Sequence, residues 1–439
     1  MVEMMKFPII KFYTYCFWVI YGISFCIWLA IIAYLWLGFK LIEGIKWMFF
    51  NHKLLAIIMI KSIKNIFLNP QKIGILLILL FTVILLLAIF PVTHNFEGQL
   101  IVQEMNFTYV GNNSNKLFLN SIRGINQISV RGTQTLTLTG KFASKTYPQL
   151  NKLNKLTIEL PNEKSNLSIS PANPQKTSQI EMELRLQPNT TVKGLNYNSY
   201  DDKKHKVKVN YLSLSLQTET EKTAANLLQM QLGDQFLKLQ LEDYRLPNLK
   251  LPTNSNNSDS ELEVIFKPDI QEIGLHLPQT TDLLIDLPEP TTREYSQWFR
   301  GDLAVKNVQF YQIEKTGVDV KDDLFNSTIL AGQIRMAGQE HKIEKNQFLI
   351  TEEPGVKLLR NIQINPESPQ GLEVRIAGET KRLQIGLDAR FPVVTIQATL
   401  LDKFLARDTI IALISFSAAS FSYVLYWLLE QWAKSNQKS

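Results

Sequence analysis

The chain has 439 residues, 46 basic against 40 acidic side chains and a formal net charge of +6. Residues 1–92 hold eight Lys and two Glu, so the excess sits with the hydrophobic N-terminal region; a nucleic-acid footprint is instead a basic patch on a folded domain, and none is expected. Cys16 and Cys26 both lie in the first apolar run, which excludes a disulfide framework and any cysteine-based site from the polar region.

Residues 12–39 run from Phe12 to Phe39 without a charge. About 20 apolar residues cross a bilayer core, so this run reads as one transmembrane helix with some tilt, or as a re-entrant segment. Bulky Phe39 and Leu41 offer no small-residue cleavage site, so it reads as retained. Residues 40–72 carry six Lys and one Glu and read as a cytoplasmic loop under the positive-inside rule. At 100° per residue, Lys46, Lys53, Lys61 and Lys64 fall within an arc of about 80°, with apolar residues filling most of the rest. That pattern suits an amphipathic helix lying on an anionic leaflet; an ordinary topology-setting loop explains the lysines equally well. Residues 73–92, IGILLILLFTVILLLAIFPV, read as a second span. Residues 1–92 thus form a membrane region that sends the chain out again.

Residues 93–408 then read as extracytoplasmic and mainly β. Alternation recurs with period two: Leu136 and Leu138; Leu156, Ile158 and Leu160; Ile180, Met182, Leu184 and Leu186; Leu237, Leu239 and Leu241; Leu262, Val264 and Phe266; Leu372, Val374 and Ile376; Leu383, Ile385 and Leu387. Such strands turn one face to a core and one to water, which is the antiparallel habit. In VKVNYLSLSL the phase of the apolar residues shifts from Val207, Val209 and Tyr211 to Leu212, Leu214 and Leu216, which predicts a bulge or bend there. A short helix is expected near TETEKTAANLLQM, residues 218–230. Residues 251–260, LPTNSNNSDS, read as a linker. They divide the region into a first β domain, 93–250, and a second, 261–408, both expected as antiparallel β-sandwich-like folds. Residues 409–439 read as a third transmembrane helix and a short cytoplasmic tail. Within it Ser415, Ala418, Ala419 and Ser422 form small-xxx-small pairs that permit close helix packing.

Chemistry-bearing motifs are sparse. The chain has no Walker loop, no G-x-S-x-G and no H-E-x-x-H. His94, His205, His276 and His341 are scattered, so a catalytic or metal site needs long-range assembly; no cofactor and no metal are expected. Tyr295, Trp298, Phe299 and Arg300 combine aromatics with Arg, as binding hot spots do, and stand as candidate partner contacts. The competing reading is that the aromatics plug one end of a core. The leading expectation is a non-enzymatic, multi-pass envelope protein whose ectodomain binds or scaffolds a protein partner or a second copy, with the basic loop on an anionic leaflet. Lipid or glycolipid handling is the alternative, and an extracytoplasmic hydrolase a weaker third.

Overall fold

A computed structural model describes residues 70–436, apart from 113–114, 203–206, 219–224, 248, 250–260, 278–279, 289–296, 315–323, 365–370 and 389–390. The first apolar run, the loop with Lys46, Lys53, Lys61 and Lys64, the linker 251–260 and Tyr295 lie outside the described residues. The chain divides into two compact units, Met1–Phe81 with Ser420–Ser439, and Thr82–Ala419.

Helix α1 (Pro70–Ile89) precedes all the strands. The first strands are β1 (His94–Val102), β2 (Glu104–Tyr109), β3 (Lys116–Arg123), β4 (Gln127–Arg131), β5 (Gln134–Ala143), β6 (Lys155–Leu160), β7 (Asn166–Pro171) and β8 (Glu181–Leu186). They are followed by β9 (Thr190–Asp202), β10 (Val207–Thr218), β11 (Asn226–Gln231), β12 (Leu237–Glu242), β13 (Leu262–Pro268), β14 (Glu272–Leu277), β15 (Thr280–Leu287) and β16 (Gln297–Gln309). The last are β17 (Tyr311–Glu314), β18 (Leu324–Ser327), β19 (Ile329–Met336), β20 (Gln339–Ile343), β21 (Phe348–Thr351), β22 (Gly355–Ile364), β23 (Leu372–Thr380), β24 (Arg382–Gly386) and β25 (Val394–Gln397). Helix α2 (Arg407–Asn436) follows them.

The second unit is mainly β and antiparallel. One sheet of 16 strands runs β20-β19-β1-β23-β22-β16-β2-β9-β10-β15-β4-β7-β12-β13-β5-β6. A four-stranded sheet, β14-β11-β8-β3, packs on it: the Phe118 ring of β3 meets Phe107 of β2 at 5.5 Å and Phe299 of β16 at 6.3 Å. Period-two alternation produces this core directly. Leu237, Leu239, Leu241, Leu262 and Val264 are fully buried, while Lys238, Gln240 and Glu263 between them stay at the surface. Leu387 breaks the pattern: β24 ends at Gly386, and Leu387 is 67 % exposed.

Strands from either side of residues 251–260 pair with each other. β13 lies between β12 and β5, β15 between β10 and β4, and β16 beside β2. Register, not sequence order, joins them.

Two local expectations are corrected. β10 keeps a single phase, with Asn210 buried alongside Leu212, Leu214 and Leu216. Asn210 holds that position because its Oδ1 accepts a hydrogen bond from the buried Tyr197 hydroxyl at 3.2 Å. The irregularity instead sits across the pair, in β9, where Gly194 and Leu195 face Leu214 alone and Gly194 takes φ +60°. Where a helix was expected over 218–230, β11 forms from Asn226, because Leu228 and Met230 point inward between β8 and β14.

The helices also depart from expectation. Among the described residues one helix is long and apolar enough to cross a membrane, Arg407–Lys434, with mean hydropathy 1.7. The apolar part of α1, Ile73–Ile89, is shorter, at about 25 Å for 1.5 Å per residue. It stops before residue 92 because Pro91 cannot continue a helix, and Val92 turns into strand pairing, donating to Ala398 O at 3.0 Å. In the first unit Gly74 permits close helix contact, since a Cβ there would stand 2.8 Å from Leu428 Cδ2.

Candidate functional site

The outer face of the large sheet carries the candidate site. On β9, β10, β15, β4 and β7 the inward positions are mainly apolar, so the alternate positions are forced outward, and the chain places mainly polar residues there, several of them short. Register aligns them in rows across the sheet. One row reads Asn196, Ser213, Leu284, Ser129, Ser168 and Gln240; the next reads Lys193, Ser215, Asp282, Arg131, Asn166 and Glu242.

Short side chains flanked by long ones leave a depression of about 360 Å³, lined by Ser129, Ser213, Ser215, Gly194, Lys193, Arg131 and Asp282. That lies at the small end of the range for ligand sites. A neighbouring depression of about 460 Å³ shares Arg131 and Asp282 and adds Glu163 and Lys164.

The floor is hydrogen-bonded. The Ser129 and Ser168 hydroxyls meet at 2.6 Å, and Gln127 Nε2 donates to Ser129 Oγ at 3.2 Å. Ser213 Oγ and Asn198 Nδ2 both donate to Asn196 Oδ1 at 3.0 Å. The backbone N–H of Gly194 donates to Asn106 Oδ1 at 2.7 Å, which pins the bulge. By contrast, among the described residues the side chains of Lys193, Arg131 and Asp282 make no ion pair and no hydrogen bond. The floor is preorganised and its charged groups are unengaged, an arrangement suited to binding.

One row beyond lie Asn198, Tyr211, Asp286 and Gln127. Tyr211 meets the exposed Tyr200 edge-on at 6.1 Å. Burial pushes the Asp286 carboxyl above its ordinary value, and a hydrogen bond from Asn126 Nδ2 at 3.4 Å offsets part of that rise.

Those of the residues singled out from sequence that the structure describes lie elsewhere. Trp298 and Phe299 are buried, Trp298 edge-on to Tyr197 at 6.1 Å. Arg300 is exposed on β16, opposite Asn361. On α2, Ser415, Ala418, Ala419 and Ser422 are exposed, and Ser417 is the buried serine. The structure brings none of these to the depression. The groups that form it read in sequence only as the solvated sides of separate strands. The one signal available was the run of Ser, Asn and Gln, in place of Lys and Glu, at outward positions. Among the described residues no cluster of His, Cys, Asp and Glu has a metal-holding arrangement.

No protein-family model matches this chain. No curated protein matches it either.

Proposed function

We propose that this is a non-enzymatic, multi-pass membrane protein that holds a β ectodomain, residues 93–408, outside the membrane to bind an envelope partner. One observation carries the reading: the chain enters and leaves the β unit side by side, next to a membrane-length helix. Pro91 bridges Thr399, Val92 N donates to Ala398 O at 3.0 Å, and Leu400 N donates to Phe90 O at 3.3 Å. Asp402 secures the exit, accepting from Thr399 N at 2.6 Å and Thr399 Oγ1 at 2.7 Å, with Arg407 at 3.4 Å. Two tethers at one place restrict how the ectodomain is presented, which suits a binding or scaffolding role. In this reading residues 12–39 and α1 supply two further spans, and Lys46, Lys53, Lys61 and Lys64 contact the anionic inner leaflet. The β unit takes the form of packed antiparallel sandwich layers.

Crosslinking in the native membrane, followed by mass spectrometry of proteins and lipids, tests it. The protein is expected to resist carbonate extraction, to lose residues 93–408 to protease added from the extracytoplasmic side, and to carry a stoichiometric partner. Release by carbonate, or protection of the ectodomain on that side, overturns the topology. The absence of any enriched partner overturns the binding role.

A further inference from the structure

The outer depression on β9, β10, β15, β4 and β7 also names a class of ligand, and this step rests on the binding role proposed above. We infer that it binds a neutral, hydroxyl-rich saccharide chain lying across the strands.

Three features point to such a ligand. The floor presents the hydroxyls of Ser129, Ser213 and Ser215: Ser213, whose proton goes to Asn196 Oδ1, can still accept, Ser129 keeps one position beyond its bonds to Ser168 and Gln127, and Ser215 can both donate and accept, as a sugar hydroxyl also does. Above it, the unengaged Arg131 fork and Asp282 carboxylate are cross-strand neighbours. Both can make paired hydrogen bonds to adjacent hydroxyls. Beside it, one row along the strands from Ser213, the half-buried Tyr211 offers an aromatic surface to the apolar face of a pyranose. Five strands at about 4.8 Å spacing give a track of about 19 Å, the length of a short oligosaccharide.

Other ligand chemistries fit less well. All five strands are paired on both sides, so no edge is open for an added peptide strand. Leu284 is the one large apolar side chain exposed on the track, too little for an amphipathic helix or an acyl chain. A polyanion needs a surplus of positive charge, yet Arg131, Lys164 and Lys193 are nearly balanced by Asp282 and Glu163. A divalent cation needs several converging oxygens of high charge, and the depression itself is lined by a single carboxylate, Asp282, with Glu163 in the neighbouring depression and Asp286 on another row.

The test is calorimetric titration of the full chain in detergent with maltohexaose, cellohexaose and chitohexaose. A heparin hexasaccharide and phosphatidylglycerol vesicles serve as comparators. Saturable binding of at least one neutral hexasaccharide is expected. Arg131→Gln and Asp282→Asn should each weaken it roughly tenfold, the loss of one charge-assisted hydrogen bond. Arg335→Gln, exposed on the distant β19, should leave it unchanged. These side chains are solvent-facing, so unchanged thermal unfolding verifies that the variants fold. The inference is overturned if none of the three sugars binds, if binding ignores the track variants, or if only heparin or vesicles bind. A crosslinked protein partner without saccharide binding removes the ligand class and leaves the binding role standing. Loss of both removes both.

Discussion

Replacing Trp298 by Ala separates a core role from a contact role for the aromatic cluster at 298–300. Trp298 is 2 % exposed and packs edge-on against Tyr197, whose hydroxyl in turn holds the buried Asn210. Truncation removes most of the roughly 150–250 Å² that an aromatic side chain buries. At about 25 cal/mol per Å² that is about 4–6 kcal/mol, an upper estimate because the unfolded chain is partly collapsed. Large-to-small aromatic substitutions in cores cost about 3–5 kcal/mol, which agrees with the lower part of that upper estimate and sets the expectation. For a unit of this size, with an unfolding entropy of about 2 cal/mol/K per residue, the melting temperature should fall by about 4–7 °C. The assay is thermal unfolding of the full chain in detergent, followed by far-UV circular dichroism so that loss of an indole does not distort the signal. Arg300→Ala, at an exposed position, should stay within about 0.5 kcal/mol of wild type. A Trp298→Ala protein that melts with wild type but loses its crosslinked partner would refute the core reasoning and restore Trp298 as a contact.

Three further predictions follow from other parts of the β unit. Gly194→Ala should cost about 1–2 kcal/mol, because φ +60° is left-handed while the space for a Cβ is open; Gly378→Ala should cost far more, since its Cβ would stand 2.2 Å from Gly355 O. Urea midpoints rank the two, and equal midpoints would contradict the geometry. Asp402→Ala should destabilise the unit by about 1–3 kcal/mol by leaving the Thr399 N–H and hydroxyl without their acceptor, read as a lower urea midpoint. For Asp286 the folded-state pKa is raised, so the folded state holds its proton longer than the unfolded chain and stability declines as pH rises from the ordinary carboxylate value through the raised one. Asp286→Asn should therefore raise the melting temperature at neutral pH, with the gain vanishing in acid; a gain that persists below the ordinary carboxylate range would contradict this.

Much of the strand content was legible because it is local. Leu136 and Leu138, or Leu237, Leu239 and Leu241, declare a buried face through spacing alone, and the structure buries them. The long apolar α2 was legible for the same reason. Reading apolar residues alone failed at Asn210, where a hydrogen bond from Tyr197 lets a polar side chain occupy a core position. It failed again at α1, whose apolar composition continues past the point where Pro91 ends the helix.

The candidate site was not legible, because none of its parts is distinctive in its own strand. Arg131, Lys193, Ser215 and Asp282 each look like one solvated position on an amphipathic strand. Register brings these residues, spread along the chain from Arg131 to Asp282, into one row. The sequence by itself thus determined which residues face a core, through the two-residue period of the extended backbone. Only the tertiary structure decided which strands are neighbours, and so which outward side chains share a surface. Strand pairing is made by backbone hydrogen bonds, which are chemically the same along every strand, and partner choice rests on how complementary faces pack across long loops.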